Sequence, residues 1–210
     1  MVYFHPMSDE SLTKAERTRR FIIEKAAPIF NKKGYAGTSL SDLTAASGLT
    51  KGAIYGNFKD KDEVAVCAFR YNLDFIRSFL RQEMDGVENH VEKLLVYPRT
   101  FRKMYRPLLE NGGCPILNTV TEADDTHPTL HRLAVEAIDI WRDRIIGLIE
   151  AGKGEGEIAS RTDGRAAAEI VISLLEGGTL LAKATGEESY LLSAVDQAET
   201  LIESIRTPLK

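Results

Sequence analysis

The stretch Ser39–Phe58, SLSDLTAASGLTKGAIYGNF, predicts two short helices joined by a tight turn. Ser39 suits the N-cap of the first helix, and Asp42 three residues later can complete a capping box. Gly48 is expected to end that helix, because glycine enters the left-handed C-cap conformation without steric cost. Thr50 then suits the N-cap of the second helix. This layout is typical of a helix-turn-helix, whose second helix presents its N-terminal end to the major groove of DNA.

The charge around this stretch separates it from an ordinary pair of packed helices, which the same pattern would also fit. Residues 13–61 contain ten Lys or Arg and four Asp or Glu, which gives a net charge of +6. The whole chain carries −4, so the residues outside this window carry −10. A basic N-terminal quarter on an acidic body predicts a nucleic-acid contact module joined to a separate regulatory body.

Length and composition predict a soluble globular protein. The chain has 210 residues, of which 43% are hydrophobic and 28% charged. Its two cysteines imply no disulfide framework and favour a reduced cytoplasm. Residues 1–12 lack the basic and apolar regions of a signal peptide, and we expect them to form a flexible N-terminal tail. No apolar stretch approaches the roughly 20 residues of a membrane span, so no membrane partner is expected.

The motifs of common enzyme classes are absent from the sequence. It contains no P-loop, no G-x-S-x-G, no H-E-x-x-H and no G-x-G-x-x-G after a strand. His127 and His131 have a spacing that can hold a metal, but no third ligand follows at a motif spacing. The sequence therefore predicts a protein that is not an enzyme, with no catalytic residues, no cofactor and no metal.

Three runs of residues carry a resemblance to a known family. They are Gly34-Tyr35 before Thr38-Ser39, GLTKGAIY at residues 48–55, and Asn57-Phe58 before KDKDE at residues 59–63. In these runs the chain is similar to the TetR family of bacterial transcriptional regulators. The resemblance implies an all-α fold. It places an N-terminal three-helix helix-turn-helix DNA-binding domain at residues 13–60 (motif 39–58) and a C-terminal helical ligand-binding and dimerisation domain at residues 61–210.

The resemblance also implies a function. It points to a cytoplasmic homodimer that acts as a repressor by binding a palindromic operator in double-stranded DNA. An unknown small-molecule effector would tilt the helix after the motif and so release the protein from the operator. Two alternatives stay open, namely control by a protein partner and control by thiol chemistry at Cys114. A further alternative is a small-molecule-binding protein or enzyme with a vestigial DNA module, against which the missing catalytic motifs argue.

Roles in DNA binding follow from position in the motif. Lys51 begins the second helix, where it can bond guanine or a phosphate. Gly52 and Ala53 are small enough for close entry into the groove, whereas Tyr55 and Lys61 are expected to hold phosphates. The full set of predicted DNA-contacting residues is Thr38, Ser39, Thr50, Lys51, Gly52, Ala53, Tyr55, Asn57 and Lys61.

The last two predicted helices, at residues 165–183 and 190–205, carry apolar stripes that are broad for a single neighbour. The stripes could simply pack inside one protomer. The resemblance instead implies a four-helix interface with a second copy, and two-fold symmetry suits a helix-turn-helix. The residues predicted at that interface are Ile170, Val171, Leu174, Gly178, Leu181, Val195, Ala198 and Ile202.

The resemblance implies a ligand pocket among the C-terminal helices. Candidate lining residues are Phe101, Met104, Tyr105, Cys114, Asn118 and Trp141, for each of which plain core packing is the alternative. Cys114 follows two glycines and is expected at a helix N-cap. There the helix dipole would lower the pKa of the thiol and raise its reactivity, although an inert buried residue fits the same position.

Overall fold

In this computed structural model, which describes residues 12–208, the chain folds into α-helices and forms, within that range, no strand pairing beyond one isolated bridge. The helices are α1 (Lys14–Gly37), α2 (Leu40–Ser47), α3 (Lys51–Tyr55), α4 (Lys61–Met84), α5 (His90–Glu110), α6 (Pro115–Ala123), α7 (Pro128–Gly154), α8 (Gly164–Thr185) and α9 (Ser189–Ser204). The predicted all-α fold class is confirmed. The predicted flexible tail falls, except for Leu12, outside the described residues.

The helix-turn-helix forms at α2 and α3 with the capping groups expected from the sequence. The Ser39 hydroxyl accepts a hydrogen bond from Asp42 N (3.1 Å), and the Asp42 carboxylate accepts one from Ser39 N (2.8 Å). Gly48 ends α2 in the left-handed conformation, with φ 67°. The Thr50 hydroxyl accepts from the third backbone N–H of α3 at 3.2 Å. Each such cap contributes about 1 kcal/mol to helix stability.

A first apolar core holds the N-terminal helices together and extends beyond them. Ile22 of α1, Leu43 of α2 and Ile54 of α3 are buried in it. Side chains of α4, α6 and α7 belong to the same cluster, including Ala134. The N-terminal helices therefore share a core with α4, α6 and α7, and α1 packs directly on α4 and α6. The predicted division of the chain at residue 60 remains a prediction.

A second core lies among α5, α7, α8 and α9. In this core α8 and α9 approach each other closely at Gly178, where an added Cβ would lie 2.7 Å from the Cβ of Ala194. The neighbouring Gly177 has open space instead. Gly178 thus permits the tight packing of the last two helices within one protomer. Among residues 12–208, no helix combines the length and apolar content that spanning a bilayer requires.

Candidate functional site

The surface of α3 presents small and polar side chains to solvent. Lys51, Gly52 and Tyr55 are exposed, and Ala53 is half-buried. Ile54 on the opposite side is completely buried, which fixes the rotation of the helix about its axis. The Lys51 ammonium lies 6.0 Å from the centre of the Tyr55 ring. These side chains are free to meet a partner that approaches α3 from outside.

Arg19 of α1 holds the far end of α3, a role that the sequence analysis did not assign. Its guanidinium lies 4.1 Å from the centre of the buried Phe58 ring and donates to the backbone carbonyl of Asn57. It also pairs with Glu63 Oε1 of α4 at 2.5 Å. The Glu63 pKa is lowered, chiefly by the hydrogen bond from Lys59 N and then by that from Arg19. Arg19 therefore ties α3 to both α1 and α4.

The structure corrects one of the predicted DNA contacts. Thr38 is buried, and its hydroxyl donates to the carbonyl oxygen of Gly34 at 2.6 Å, so it cannot reach a phosphate. Asn57 is half-buried and donates from Nδ2 to Ala53 O at 2.9 Å. The Lys61 ammonium lies 4.2 Å from the centre of the Tyr35 ring. Ser39 and Thr50 are exposed but already serve as helix caps.

A cavity opens between α4, α5, α6, α7 and α8. The atom-free space between its walls amounts to about 530 Å³, part of which is open solvent, and about 60 Å³ of it is open to the centres of water-sized molecules. Its walls are mostly apolar, and one of them is aromatic. Trp141 stacks on Phe101 with ring centres 5.6 Å apart, and on Tyr97 at 6.3 Å. The remaining lining residues are Leu73, Ile76, Arg77, Leu80, Cys114, Ile116, Ala137, Ile140, Arg144 and Glu176.

Half of the predicted lining residues do not line this cavity. Phe101, Cys114 and Trp141 do, as expected. Met104 and Tyr105 are buried in apolar clusters and are not among the residues that line the cavity. The remaining one, Asn118, has its amide occupied by backbone carbonyls, including that of Gly112 at 2.8 Å. These three assignments are corrected to core packing and loop bracing.

The environment of Cys114 fits the inert alternative of the two readings that the sequence allowed. It is the N-cap of α6, as expected, but its thiol is buried and donates to Glu176 Oε1 at 3.0 Å. Burial raises the pKa of the Cys114 thiol well above its usual value, and the Glu176 carboxylate raises it further. Desolvation therefore outweighs the helix dipole, and the structure favours the inert thiol over the reactive one.

Glu176 is the residue that sequence reasoning missed. It is an isolated carboxyl in the apolar run ISLLEGGTLLA of α8, and that isolation was the available signal. Burial raises the pKa of Glu176 to about 7, which the hydrogen bond from Cys114 opposes. Its second oxygen, Oε2, is buried and has no hydrogen-bond partner among residues 12–208.

A carboxylate on α6 links the cavity to the helix-turn-helix. Cys114 and Ile116, at the start of α6, line the cavity, and Glu122 lies near the end of the same helix. Glu122 accepts hydrogen bonds from the backbone N–H groups of Tyr35 (2.8 Å) and Ala36 (2.9 Å). These N–H groups are unpaired within α1 because Gly34 breaks the helix there, with φ 73°.

The predicted interface residues divide between the inside and the outside of the protomer. Val171, Gly178, Val195, Ala198 and Ile202 are buried within the chain, where a second copy cannot contact them. Their assignment is corrected to the core of the protomer. Ile170 and Leu181 are nearly half exposed, and Leu174 is half-buried. The exposed apolar set that includes them also contains Leu180 and Tyr190, which the sequence analysis did not name.

One group of side chains has the arrangement of a cation site. His90 Nδ1 lies 2.9 Å from Glu157 Oε2 and 4.0 Å from Glu155 Oε2. Glu157 also accepts the backbone N–H of His90 at 2.6 Å, so it already serves as a cap for the start of α5. This capping role accounts for the position of Glu157 without a metal.

Comparison with known proteins places the chain in a family context. The sequence model of the bacterial regulatory proteins of the tetR family matches residues 22–66, and that of the tetracyclin repressor-like C-terminal domain matches residues 90–198. The chain is similar to the TetR-family transcriptional regulator from Cytophaga hutchinsonii, with 42% identity, 95% of this chain and 100% of that one covered, and a TM-score of 0.87.

Two further proteins are similar over nearly the whole length. A TetR transcriptional regulator from Chloroflexus aurantiacus J-10-FL has 35% identity and a TM-score of 0.89, with 94% of this chain and 100% of that chain covered. The HTH-type transcriptional repressor BepR of Brucella suis biovar 1 is 25% identical over 215 residues, which cover 93% of this chain and 96% of BepR. All three proteins are described as transcriptional regulators or repressors.

Proposed function

The chain belongs to the TetR family of transcriptional regulators, and we propose that it binds a palindromic operator as a homodimer and dissociates from the DNA when a small molecule enters the cavity. In this proposal residues 13–60 read DNA in the cytoplasm, and residues 61–210 bind the effector and the second protomer. The observation that carries the proposal is the exposed set Lys51, Gly52 and Tyr55 on a short helix whose C-terminal end is contacted by Arg19.

Charge supports the DNA-binding part of the proposal. Lys51 is exposed at the first position of α3 and has no carboxylate partner among residues 12–208. An ammonium at this position can bond a guanine edge or a phosphate. Tyr55, also exposed, is suited to a phosphate contact that sets the register of the helix on the duplex. The surrounding net charge of +6 over residues 13–61 would steer the protein to DNA.

Exposed apolar side chains support the homodimer. Ile170 and Leu181 of α8 and Tyr190 of α9 each leave more than two fifths of their surface uncovered in the single chain. Contiguous exposed apolar surface on a soluble protein marks an interaction site. A single helix of five residues reads few base pairs. A second copy related by two-fold symmetry would read the other half of a palindromic operator.

The position of α6 supports control by a ligand rather than by a protein partner. The helix forms one wall of the cavity through Ile116 and contacts the end of α1 through Glu122. A ligand that displaces α6 would therefore displace the attachment of α1, and with it α3. Release requires the ligand to bind the two arrangements with different affinity. Control by thiolate chemistry is disfavoured, because Cys114 is buried and its pKa is raised.

The experiment is titration of the purified protein onto DNA from the region around its own coding sequence, at two salt concentrations. Specific binding that weakens steeply with salt is expected. Lys51→Ala and Tyr55→Ala should each weaken it while the thermal unfolding curve stays unchanged. Arg161→Ala is the matched control, since Arg161 is an exposed cation outside the basic window. Equal binding to all sequences, or full affinity of Lys51→Ala, would contradict the proposal.

A further inference from the structure

Two residues that line the cavity each carry a buried polar atom that has no hydrogen-bond partner among residues 12–208. One is Glu176 Oε2, and the other is Trp141 Nε1. Both residues line the cavity. Buried polar atoms in folded proteins are nearly always paired, and an unpaired one costs stability. An unpaired acceptor and an unpaired donor on two residues of one cavity lining are the groups for which a bound molecule could supply partners.

The charge of Glu176 is not compensated by the cations around the same cavity. Its other oxygen, Oε1, accepts from the Cys114 thiol, which is a weak and neutral donor. Arg77 pairs with Asp74 at 3.5 Å, and Arg144 is exposed to solvent. Lys183 donates to an amide oxygen at 2.9 Å. None of these three cations makes an ion pair with Glu176. Burial without a partner cation raises the pKa of Glu176 to about 7.

The aromatic wall of the cavity favours a ligand with a flat apolar ring system. Trp141 and Phe101 stack with an angle of 13° between their planes, and Tyr97 continues the stack at 28°. The face of an indole or phenyl ring attracts both flat rings and cations. Leu73, Ile140 and other aliphatic side chains complete the lining. The cavity thus combines a flat apolar surface with one buried carboxylate.

We propose that the cavity takes a flat, mainly apolar molecule that carries a positively charged nitrogen, and that Glu176 Oε2 accepts a hydrogen bond from that nitrogen. Trp141 Nε1 donates to an acceptor on the same molecule. The inference rests on the proposed function only in making this molecule the effector. The two arginines of the lining, Arg77 and Arg144, oppose a cation near them, so the charged nitrogen has to lie on the Glu176 side of the cavity.

The test uses three probes that share one ring system and differ in charge: 2-naphthylmethylammonium, 2-naphthylmethanol and 2-naphthoate. Binding of each to the full chain is measured by calorimetry at neutral pH without DNA. We expect the ammonium to bind most tightly and the carboxylate most weakly. Equal affinity for the three probes, tighter binding of the carboxylate, or no detectable binding of the ammonium would overturn the proposal.

Variants test whether Glu176 is responsible for the preference for the ammonium probe. Glu176→Gln keeps an acceptor for the Cys114 thiol and should weaken the ammonium roughly tenfold to a hundredfold, with little change for the alcohol. Glu169→Gln is the matched control, because Glu169 is an exposed carboxylate on the same helix that pairs with Arg165 at 2.8 Å. Unchanged ammonium affinity in Glu176→Gln, or an equal loss in Glu169→Gln, would also overturn the proposal.

The same preparations are tested on the DNA of the preceding section, which separates the two proposals. A protein that binds its operator but shows no Glu176-dependent preference for the ammonium refutes the cavity inference and leaves the regulator intact. Conversely, a protein that binds the ammonium through Glu176 but no DNA specifically refutes the proposed function and leaves the inference about the cavity standing.

Discussion

Glu122 Oε2 on α6 accepts a hydrogen bond from the backbone N–H of Tyr35 at 2.8 Å, across 87 residues of sequence. The other oxygen of the same carboxylate accepts from Ala36 N at 2.9 Å. A side chain added at Gly34 would collide with this carboxylate. The turn that leads into the helix-turn-helix is therefore attached to the cavity wall by one side chain, and this attachment can be tested directly.

Glu122→Ala should lower the free energy of unfolding by about 1.5–3 kcal/mol, because two backbone N–H groups lose a charged acceptor. The loss is measured by urea or thermal unfolding. The matched control is Asp125→Ala, which removes an exposed carboxylate from the turn after α6 and should leave stability unchanged. An equal effect of the two substitutions would mean that the attachment contributes nothing.

The adjacent glycines of α8 should respond to alanine with opposite signs. At Gly178 the new Cβ would lie 2.7 Å from Ala194 Cβ and 3.2 Å from backbone atoms of α9, so Gly178→Ala should destabilise the protein by about 1–3 kcal/mol. At Gly177 nothing lies within 4 Å. Gly177→Ala should therefore stabilise the helix by roughly 0.5–1 kcal/mol. Unfolding of both variants at one protein concentration measures the difference, and a shared sign would contradict the packing described.

Helix caps and tight turns could be predicted from the sequence, because they depend on residues close together in the chain. The caps at Ser39 and Thr50 and the turn at Gly48 depend on residues at most three positions away, and the sequence predicted each of them. The interface and the cavity depend on which side of a helix meets which neighbour. In α8 both sides are apolar, so periodicity could not separate exposed Ile170 from buried Val171.

The sequence carries a stronger signal for the cavity, which is a charged residue inside an apolar helix. An isolated Glu in ISLLEGGTLLA predicts either a buried partner or a ligand contact, since a buried carboxylate is costly. The partner of Glu176 is Cys114, 62 residues earlier in the chain. No spacing rule links two such positions. The pair becomes visible only once α6 and α8 are packed together.

The exposed face of α8 should control the oligomeric state. Leu181→Glu places a charge on a residue that is 47% exposed in the single chain, and we expect the proposed dimer to dissociate, as measured by sedimentation equilibrium. Val135→Glu is the matched control, because Val135 is an exposed apolar residue of α7 at 37% exposure. A dimer that survives Leu181→Glu, or one lost equally in Val135→Glu, would place the interface elsewhere.

The buried carboxyl of Glu176 should make stability depend on pH in a definite direction. Its folded pKa, raised to about 7 from 4.5, means that the folded protein holds this proton more tightly than the unfolded chain does. The free energy of unfolding should therefore fall as the pH rises through this range, by about 3 kcal/mol at most. The Cys114 thiol, which donates to Glu176 Oε1, has a pKa raised well above its usual value and stays protonated over this range, and Arg77 and Arg144 line the same cavity.

Glu176→Gln removes that titration, so it isolates the contribution of this one group. At about pH 8 the variant should be more stable than the parent protein, because the parent then buries an unpaired charge. At about pH 4 the two should be nearly equal, since a protonated carboxyl and an amide have similar shape and polarity. Thermal unfolding across this pH range measures the difference, with Glu169→Gln as the exposed control.

A constant offset between Glu176→Gln and the parent at all pH values would show that the carboxyl does not titrate in the buried state. A variant less stable than the parent at high pH would show that the charge is already compensated, which would also remove the reason for a cationic ligand.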